Sequence, residues 1–204
     1  MASIDLKKVY REHYSAKSDA PVVVDVPARP FLMIDGAGDP NTSPEYLDAI
    51  EALYPLAYGL RAAVRRATGD AYTVMPLEGL WWTDDMDDFD PADKSNWLWT
   101  AMICLPDAVT EAMIDDVLPA VTERKDLKSG DKARVETFAE GEAVQVLHLG
   151  SYSEEAPTIS ALHEFIADNG YSRRGRHHEI YLSDPRKIDT AKLRTIIRQP
   201  ITHA

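Results

Sequence analysis

The sequence is short of cysteine, of long apolar runs and of positive charge. Cys104 is the only cysteine among 204 residues, which excludes an internal disulfide and a thiolate metal cluster and points to a reducing cytoplasm. Within "AMICL" it reads as a small buried hydrophobe. No window reaches the roughly 18 consecutive apolar residues of a membrane span, and "MASIDLKKVYREHY" has no apolar signal-peptide core. Lys and Arg number 22 against 34 Asp and Glu, a formal charge of −12. Such a chain lacks the cationic surface that neutralises phosphates, so no nucleic-acid partner is expected. A GxGxxG, a P-loop lysine and a GxSxG are all missing, which leaves nucleotide binding and serine-hydrolase chemistry without support.

What is present suits a soluble globular protein: 45% of residues are apolar and 27% charged, enough to bury a sizeable core. "VVVDV" and "FLMIDG" are β-prone runs separated by "PARP". Ser43, Pro44 and Glu45 form a helix start. Leu47, Ile50, Tyr54, Ala57, Leu60 and Val64 follow at helical steps, Pro55 should kink or split that helix, and Gly69 closes it. "YTVMPLEGLWW" and "WLWTAMICL" read as strands joined by the acidic run "TDDMDDFD", a solvated turn rather than a calcium loop, since the EF-hand spacing is missing. A second helix is expected from about Asp107 to Arg124. "RVETFAEG" and "AVQVLHLG" suggest a hairpin around "AEGE". A third helix ends at Gly170, and "HHEIYL" and "LRTIIRQPI" are the last strands.

The order strand, helix, strand, strand occurs twice, over about 22–105 and about 134–201. This predicts one α+β domain over residues 1–204, made of two pseudo-repeats joined by a helical segment, with a sheet carrying helices on one face. The uncovered face is then free to be a groove. Glu78 and Glu179 occupy similar places in equivalent strands, so a pseudo-twofold axis would bring both into the seam.

The stretch "RHHEIYLSDPR" is unusual for a strand because it carries so many ionisable groups. Alternation puts His177, Glu179 and Tyr181 on one face and His178, Ile180 and Leu182 on the other. Adjacent histidines on a strand point apart, so His177 and His178 do not share a metal ion, and no metal or cofactor is expected. His148 and His163 read as structural histidines. The bland reading of Glu179 is a salt bridge to Arg173, Arg174, Arg176 or Arg186, and that of Glu78, next to Gly79, is a bulge. Trp81 and Trp82 cannot both face one cleft. Trp97 and Trp99 share a face with Ala101 and Ile103, where core packing and ligand stacking are equally open.

"VDVPARPFLMIDGAGDPN", "MPLEGLWW", "VQVLHLGSYSEEAPTI", "HHEIYLSDPRK" and "LRTIIRQPI" together resemble the standalone branch of the GyrI-like small-molecule-binding proteins, over nearly the whole chain. The resemblance implies a duplicated strand-helix-strand-strand fold with a ligand cleft between the repeats. In multidrug-sensing regulators a similar domain follows a DNA-binding segment and holds bulky, often cationic compounds with a cleft glutamate and aromatic walls. Here about 20 residues precede the first strand, too few for a helix-turn-helix. Standalone members include cyclopropanoid cyclopropyl hydrolases, which add water across the strained ring of DNA alkylators and protect the cell. Carried over by motif, the cleft glutamate is Glu179 and Tyr181 belongs to the aromatic walls; the chemistry of ring opening then casts Glu179 as the base that activates water, with Tyr181 and Glu78 assisting as donor or base. The walls fall on Trp81, Trp82, Trp97 and Trp99, with Tyr152 and His177 as further ligand contacts. The rival implication is a binding protein without chemistry, which sequesters drugs or protects a partner protein. Bulky aromatic or cationic small molecules are the expected ligands in both cases.

Overall fold

The computed structural model describes residues 3–18, 20–84 and 93–203; most of the acidic run, residues 85–90, lies outside them. A short strand and a helical turn open the chain, β1 (Ser3–Ile4) and α1 (Leu6–Val9), before β2 (Val22–Val26) and β3 (Arg29–Ala37). Helix α2 (Pro44–Thr68) starts where the Ser43 hydroxyl accepts the Tyr46 N–H and stops at Gly69, whose φ of 82° suits a residue without Cβ. Of the two expected effects of Pro55, a kink or a split, the split does not occur. The bond Pro55 removes would have gone to the carbonyl of solvent-exposed Glu51, while Ala52, Leu53, Leu56 and Ala57 on either side are fully buried and hold the helix together. Leu47 is 57% exposed, so the apolar stripe runs instead through Ala49, Leu53, Leu56 and Leu60.

The chain continues with β4 (Ala71–Tyr72), β5 (Leu77–Trp82), β6 (Leu98–Cys104) and α3 (Glu111–Lys125), which is capped by Thr110 and packs on α2. Then come β7 (Arg134–Phe138), β8 (Gly141–Leu149), α4 (Ala156–Asp168), β9 (Tyr171–Arg173), β10 (His177–Tyr181) and β11 (Arg194–His203). Apart from the parallel β1–β4 pair, these strands form a nine-stranded antiparallel sheet in the order β2-β8-β11-β10-β5-β6-β3-β7, with β9 on the end of β11. The first repeat contributes β3, α2, β5 and β6 and the second β8, α4, β10 and β11. They meet at the β5–β10 pair, as a duplicated α+β fold requires.

The expected hairpin between β7 and β8 does not form: β7 pairs with β3, and β8 with β2 and β11. In a flat sheet β7 and β8 would stand six strand spacings apart, about 29 Å, yet residues 138 and 141 are three chain steps apart, at most about 11 Å. The sheet must therefore curl until its ends meet. Val26 pairs with Gly141 and Arg29 with Phe138 in one continuing register. Residues 22–37 and 134–149 thus form one interrupted antiparallel ribbon that seals the curl, each repeat lending its first strand to the other.

Helices α2 and α4 lie on one face. Tyr46 of α2 contacts Trp81 and Trp99, with ring centroids 5.5 and 5.0 Å apart, while Ile159, Leu162 and Ile166 of α4 pack on Val144, Val146 and Ile197. The reverse face is covered by the N-terminal segment, where Tyr14 and Leu6 join the main core. Among the described residues, no helix is long and apolar enough to cross a membrane.

Candidate functional site

Strand β10 alternates as expected, but its register against β5 decides the site. Glu179 pairs with Gly79, and Glu78 with Ile180. Paired residues share a face, so Glu179 points to the helix side with His177 and Tyr181, and Glu78 points to the reverse side with His178. The expected meeting of Glu78 and Glu179 in one seam is corrected by this one-residue offset, which reverses every side chain. The groove expected on the uncovered face is likewise not where Glu179 is: it lies in the seam between α2 and α4.

Glu179 is 8% exposed. Its Oε2 accepts the Tyr181 hydroxyl at 2.6 Å and its Oε1 lies 3.2 Å from His177 Nε2. Among the described residues, none of the four expected arginines supplies a salt bridge: Arg186 pairs with Asp184, Arg174 donates to backbone carbonyls, Arg173 faces His163 and Arg176 stacks on Trp82. Burial raises the Glu179 pKa, but the His177 and Tyr181 hydrogen bonds, with help from Lys94, outweigh it and hold the carboxyl below its usual range. Opposite it, Gly79 leaves room for the Trp81 indole, whose Nε1 would lie 2.8 Å from a Cβ at that position.

The walls are mostly tyrosine. Tyr152 meets Tyr181 edge-on at 5.5 Å and is 36% exposed at the mouth. Tyr46 brings its hydroxyl beside Tyr181 and Glu179, and Tyr54 continues that face of α2 toward Asp184. Trp81 leans over Gly79 and touches Trp97 at 5.4 Å, with the Lys94 ammonium over Trp97 at 4.8 Å. Trp99 is fully enclosed under Tyr46. Trp82 points the other way, so its expected place in the same wall is corrected: Arg176 stacks on it at 3.7 Å. Together they line a cavity of about 460 Å³ on the reverse face with Asp35, Arg134 and Glu136. That cavity lacks Glu179 and Tyr181.

Sequence reasoning missed Tyr46 and Glu155. Tyr46, Ile50 and Tyr54 recur at steps of four, a signal overshadowed by neighbouring Leu47. Glu155 immediately precedes α4 and reads as a helix-start acid, yet its carboxyl makes no capping bond. It turns inward against Glu179 and Thr195, is 5% exposed, and its Oε1 has no hydrogen-bond partner. Burial first and the Glu179 charge second push it up to about 9. The two carboxyls therefore divide into one ionised and one neutral.

Glu78 belongs to a buried polar network on the reverse face. It accepts the Tyr14 hydroxyl at 2.7 Å and contacts His178 Nε2 at 3.0 Å. His178 Nδ1 meets Glu140 at 2.8 Å, and Arg198 donates to Glu140 at 2.8 Å, to Gln145 and to the His13 carbonyl. A ring with a carboxylate on each nitrogen donates from both. Burial opposes that charge, but Glu140 and Glu78 outweigh it and push His178 up to about 9; Glu140, buried yet facing two cations, is held at about 2.

These shifts set the pH dependence of stability. The His178 contribution is complete below its ordinary pKa of 6.5 and is lost as pH rises through about 9. That of Glu140 is complete above 4.5 and is lost as pH falls through about 2. Both describe largely one interaction, worth roughly 3 kcal/mol, and are not added. Glu155 acts with His178: its proton leaves near 4.5 in the unfolded chain and near 9 in the fold, so alkali destabilises there too. His163, which burial holds down at about 4, pulls the other way below 6.5, so the melting temperature should be highest near about pH 6 and fall toward pH 9. In His178→Gln that fall should be shallower; a flat wild-type profile between pH 5 and 9 would contradict the ionic assignment.

The GyrI-like small molecule binding domain family matches the chain over residues 19–201. An uncharacterized conserved protein from Listeria innocua is 36% identical, with a TM-score of 0.90 over 98% of this chain and 100% of that one. A hydrolase from Listeria innocua is 35% identical, with a TM-score of 0.87 over the same shares. The EcmrR C-terminal domain, 14% identical with a TM-score of 0.57 over 91% of this chain and 98% of its own, shares the fold. No curated protein matches by sequence. With its duplicated fold, its seam between α2 and α4 and a family match over most of its length, the chain belongs to the GyrI-like small molecule binding domains.

Proposed function

We propose that this protein is a hydrolase that adds water across the cyclopropane ring of cyclopropanoid DNA alkylators and so protects the cell that makes it. The observation that carries this reading is the Glu179 carboxylate, buried and ionised, held by Tyr181 and His177 beneath aromatic walls. Its similarity to a hydrolase from Listeria innocua supports the reaction class. A spirocyclopropyl dienone is a flat, strained electrophile. Its ring carbon takes the nucleophile while its carbonyl gains negative charge. Glu179 orients a water molecule and takes its proton. Tyr181 is committed to Glu179, so it positions the base. Trp81, Tyr152 and Tyr46 offer faces and edges for stacking, and the single carboxylate charge also favours cationic ligands. Substrate entry moves the Tyr152 ring from its contact with Tyr181.

The test is incubation with a duocarmycin-type cyclopropanoid followed by mass measurement of the recovered compound. A gain of one water, absent from a protein-free control, is the expected result. Tightly held but unchanged compound would replace the hydrolase reading with a sequestering one.

A further inference from the structure

Trp81 and Trp82 are neighbours on β5 and point to opposite faces of the sheet, so Trp82 looks into a space separate from the seam. That space is the hollow of the curl. The His13 ring meets Arg29 of β3 at 2.9 Å while its carbonyl accepts from Arg198 of β11. In the order β11-β10-β5-β6-β3 those strands stand four spacings apart, about 19 Å in a flat sheet. Only a concave face lets one residue touch both. The N-terminal segment fills one end of the hollow, where Tyr14 donates to Glu78. Farther along β5 the same face carries Leu80 and Trp82, and there the cavity of about 460 Å³ begins.

The lining of this cavity is apolar within and charged around. Met33 and Leu80 are buried, and Leu98 and Phe138 are half-buried. The charges are those of Asp35, Glu45, Arg134, Glu136 and Arg176, and four of the five are already matched. Arg134 reaches Asp35 with Nη1 and Glu136 with Nε, each at 2.9 Å, and Glu45 pairs with Lys132 at 2.6 Å. Asp35 also accepts the Thr100 hydroxyl at 2.6 Å. Arg176 stacks on Trp82 at 3.7 Å and has no hydrogen bond or ion pair among the described residues. A guanidinium on an indole face keeps its N–H edge free for a planar anion.

We propose that this cavity is a second binding site, for a small carboxylic acid with an apolar or aromatic body. The carboxylate pairs with Arg176, and the body rests on Trp82, Met33, Leu80, Leu98 and Phe138. The volume lies within the roughly 300–1,000 Å³ of small-molecule sites. Asp35 and Glu136 do not forbid the anion, because their side chains are 52% and 59% exposed and water screens their repulsion. The seam presents the Glu179 carboxylate and repels the same ligand, so the two faces of one sheet select opposite charges. The site stands apart from the ring-opening reading and does not depend on it.

The experiment titrates three closely matched probes, phenylpropanoate, phenylpropanol and phenylpropylamine, into the full chain and follows the indole N–H signals by NMR. Trp82→Phe identifies the Trp82 signal. The acid should move that signal, and the alcohol and amine should bind there at least about tenfold more weakly. Arg176→Gln, a change at an exposed side chain, should weaken the acid by at least about tenfold. Arg176→Lys should fall between, since an ammonium keeps the charge but loses the planar fork. Acid that leaves the Trp82 signal in place, moves that of Trp81 instead, or binds Arg176→Gln as tightly as wild type overturns the site. An amine that moves the Trp82 signal at lower concentration than the acid overturns the choice of ligand.

Discussion

Replacing Glu179 by Gln should leave a folded protein that still holds its ligand but turns it over at least about 100-fold more slowly. Gln matches Glu in volume, and its amide can satisfy Tyr181, whose hydroxyl both donates and accepts, and His177 in its other tautomer. The folded state loses charge-assisted bonds worth about 1–2 kcal/mol, a drop in melting temperature of a few degrees. What disappears is the carboxylate proposed as the base. A second readout follows from the same substitution. With the Glu179 charge gone, Glu155 loses the largest influence after burial that raises it, and its pKa should drop from about 9 while burial keeps it above the usual carboxyl range. Wild-type turnover in the variant would remove Glu179 from the chemistry. An unmoved Glu155 would show that the two carboxyls do not communicate.

Arg198→Met should be the most destabilising single change on the reverse face. Arg198 is 2% exposed and makes charge-assisted contact with Glu140 at 2.8 Å. Truncating it strands a buried carboxylate, a loss of about 3–5 kcal/mol, large against the 5–15 kcal/mol that holds typical domains together. It also removes the donor to the His13 carbonyl and the hold on Gln145, which itself donates to the Glu12 carbonyl at 2.8 Å. Residues 12–14 should therefore exchange their amide hydrogens faster. Adding Glu140→Gln should restore part of the loss, because the stranded charge goes with it. If Arg198→Met alone melts like wild type, the network contributes nothing net to stability.

The fold was legible where local chemistry decides it. Ser43 and Gly69 bound α2 as their cap chemistry demands, and the alternation of "HHEIY" separated two faces before any partner strand was known. What local pattern could not supply was register between distant strands. Glu78 and Glu179 each looked like a site residue in its own strand, and only the pairing of Gly79 with Glu179 showed that they face opposite ways. The short link between β7 and β8 resembled a hairpin turn, but the Glu140 side chain is claimed by His178 and Arg198 far along the chain. Glu155 was hidden differently. An acid at a helix start has an ordinary explanation, and the lack of that capping bond appears only in three dimensions.

The sealed ribbon bears on how the chain reaches this fold. Residues 22–26 must wait for residues 141–145 before their backbone bonds exist, and β3 acquires β7 only once residue 138 has been made. Loop closure over such distances precedes any reward from pairing, which slows folding. A ribosome releasing the first repeat alone exposes β3 with one unpaired edge and β2 with no partner at all. Neither repeat is then a folding unit. Truncation anywhere between them should yield aggregation-prone fragments rather than two small proteins, and the duplicated halves now depend on each other for completion.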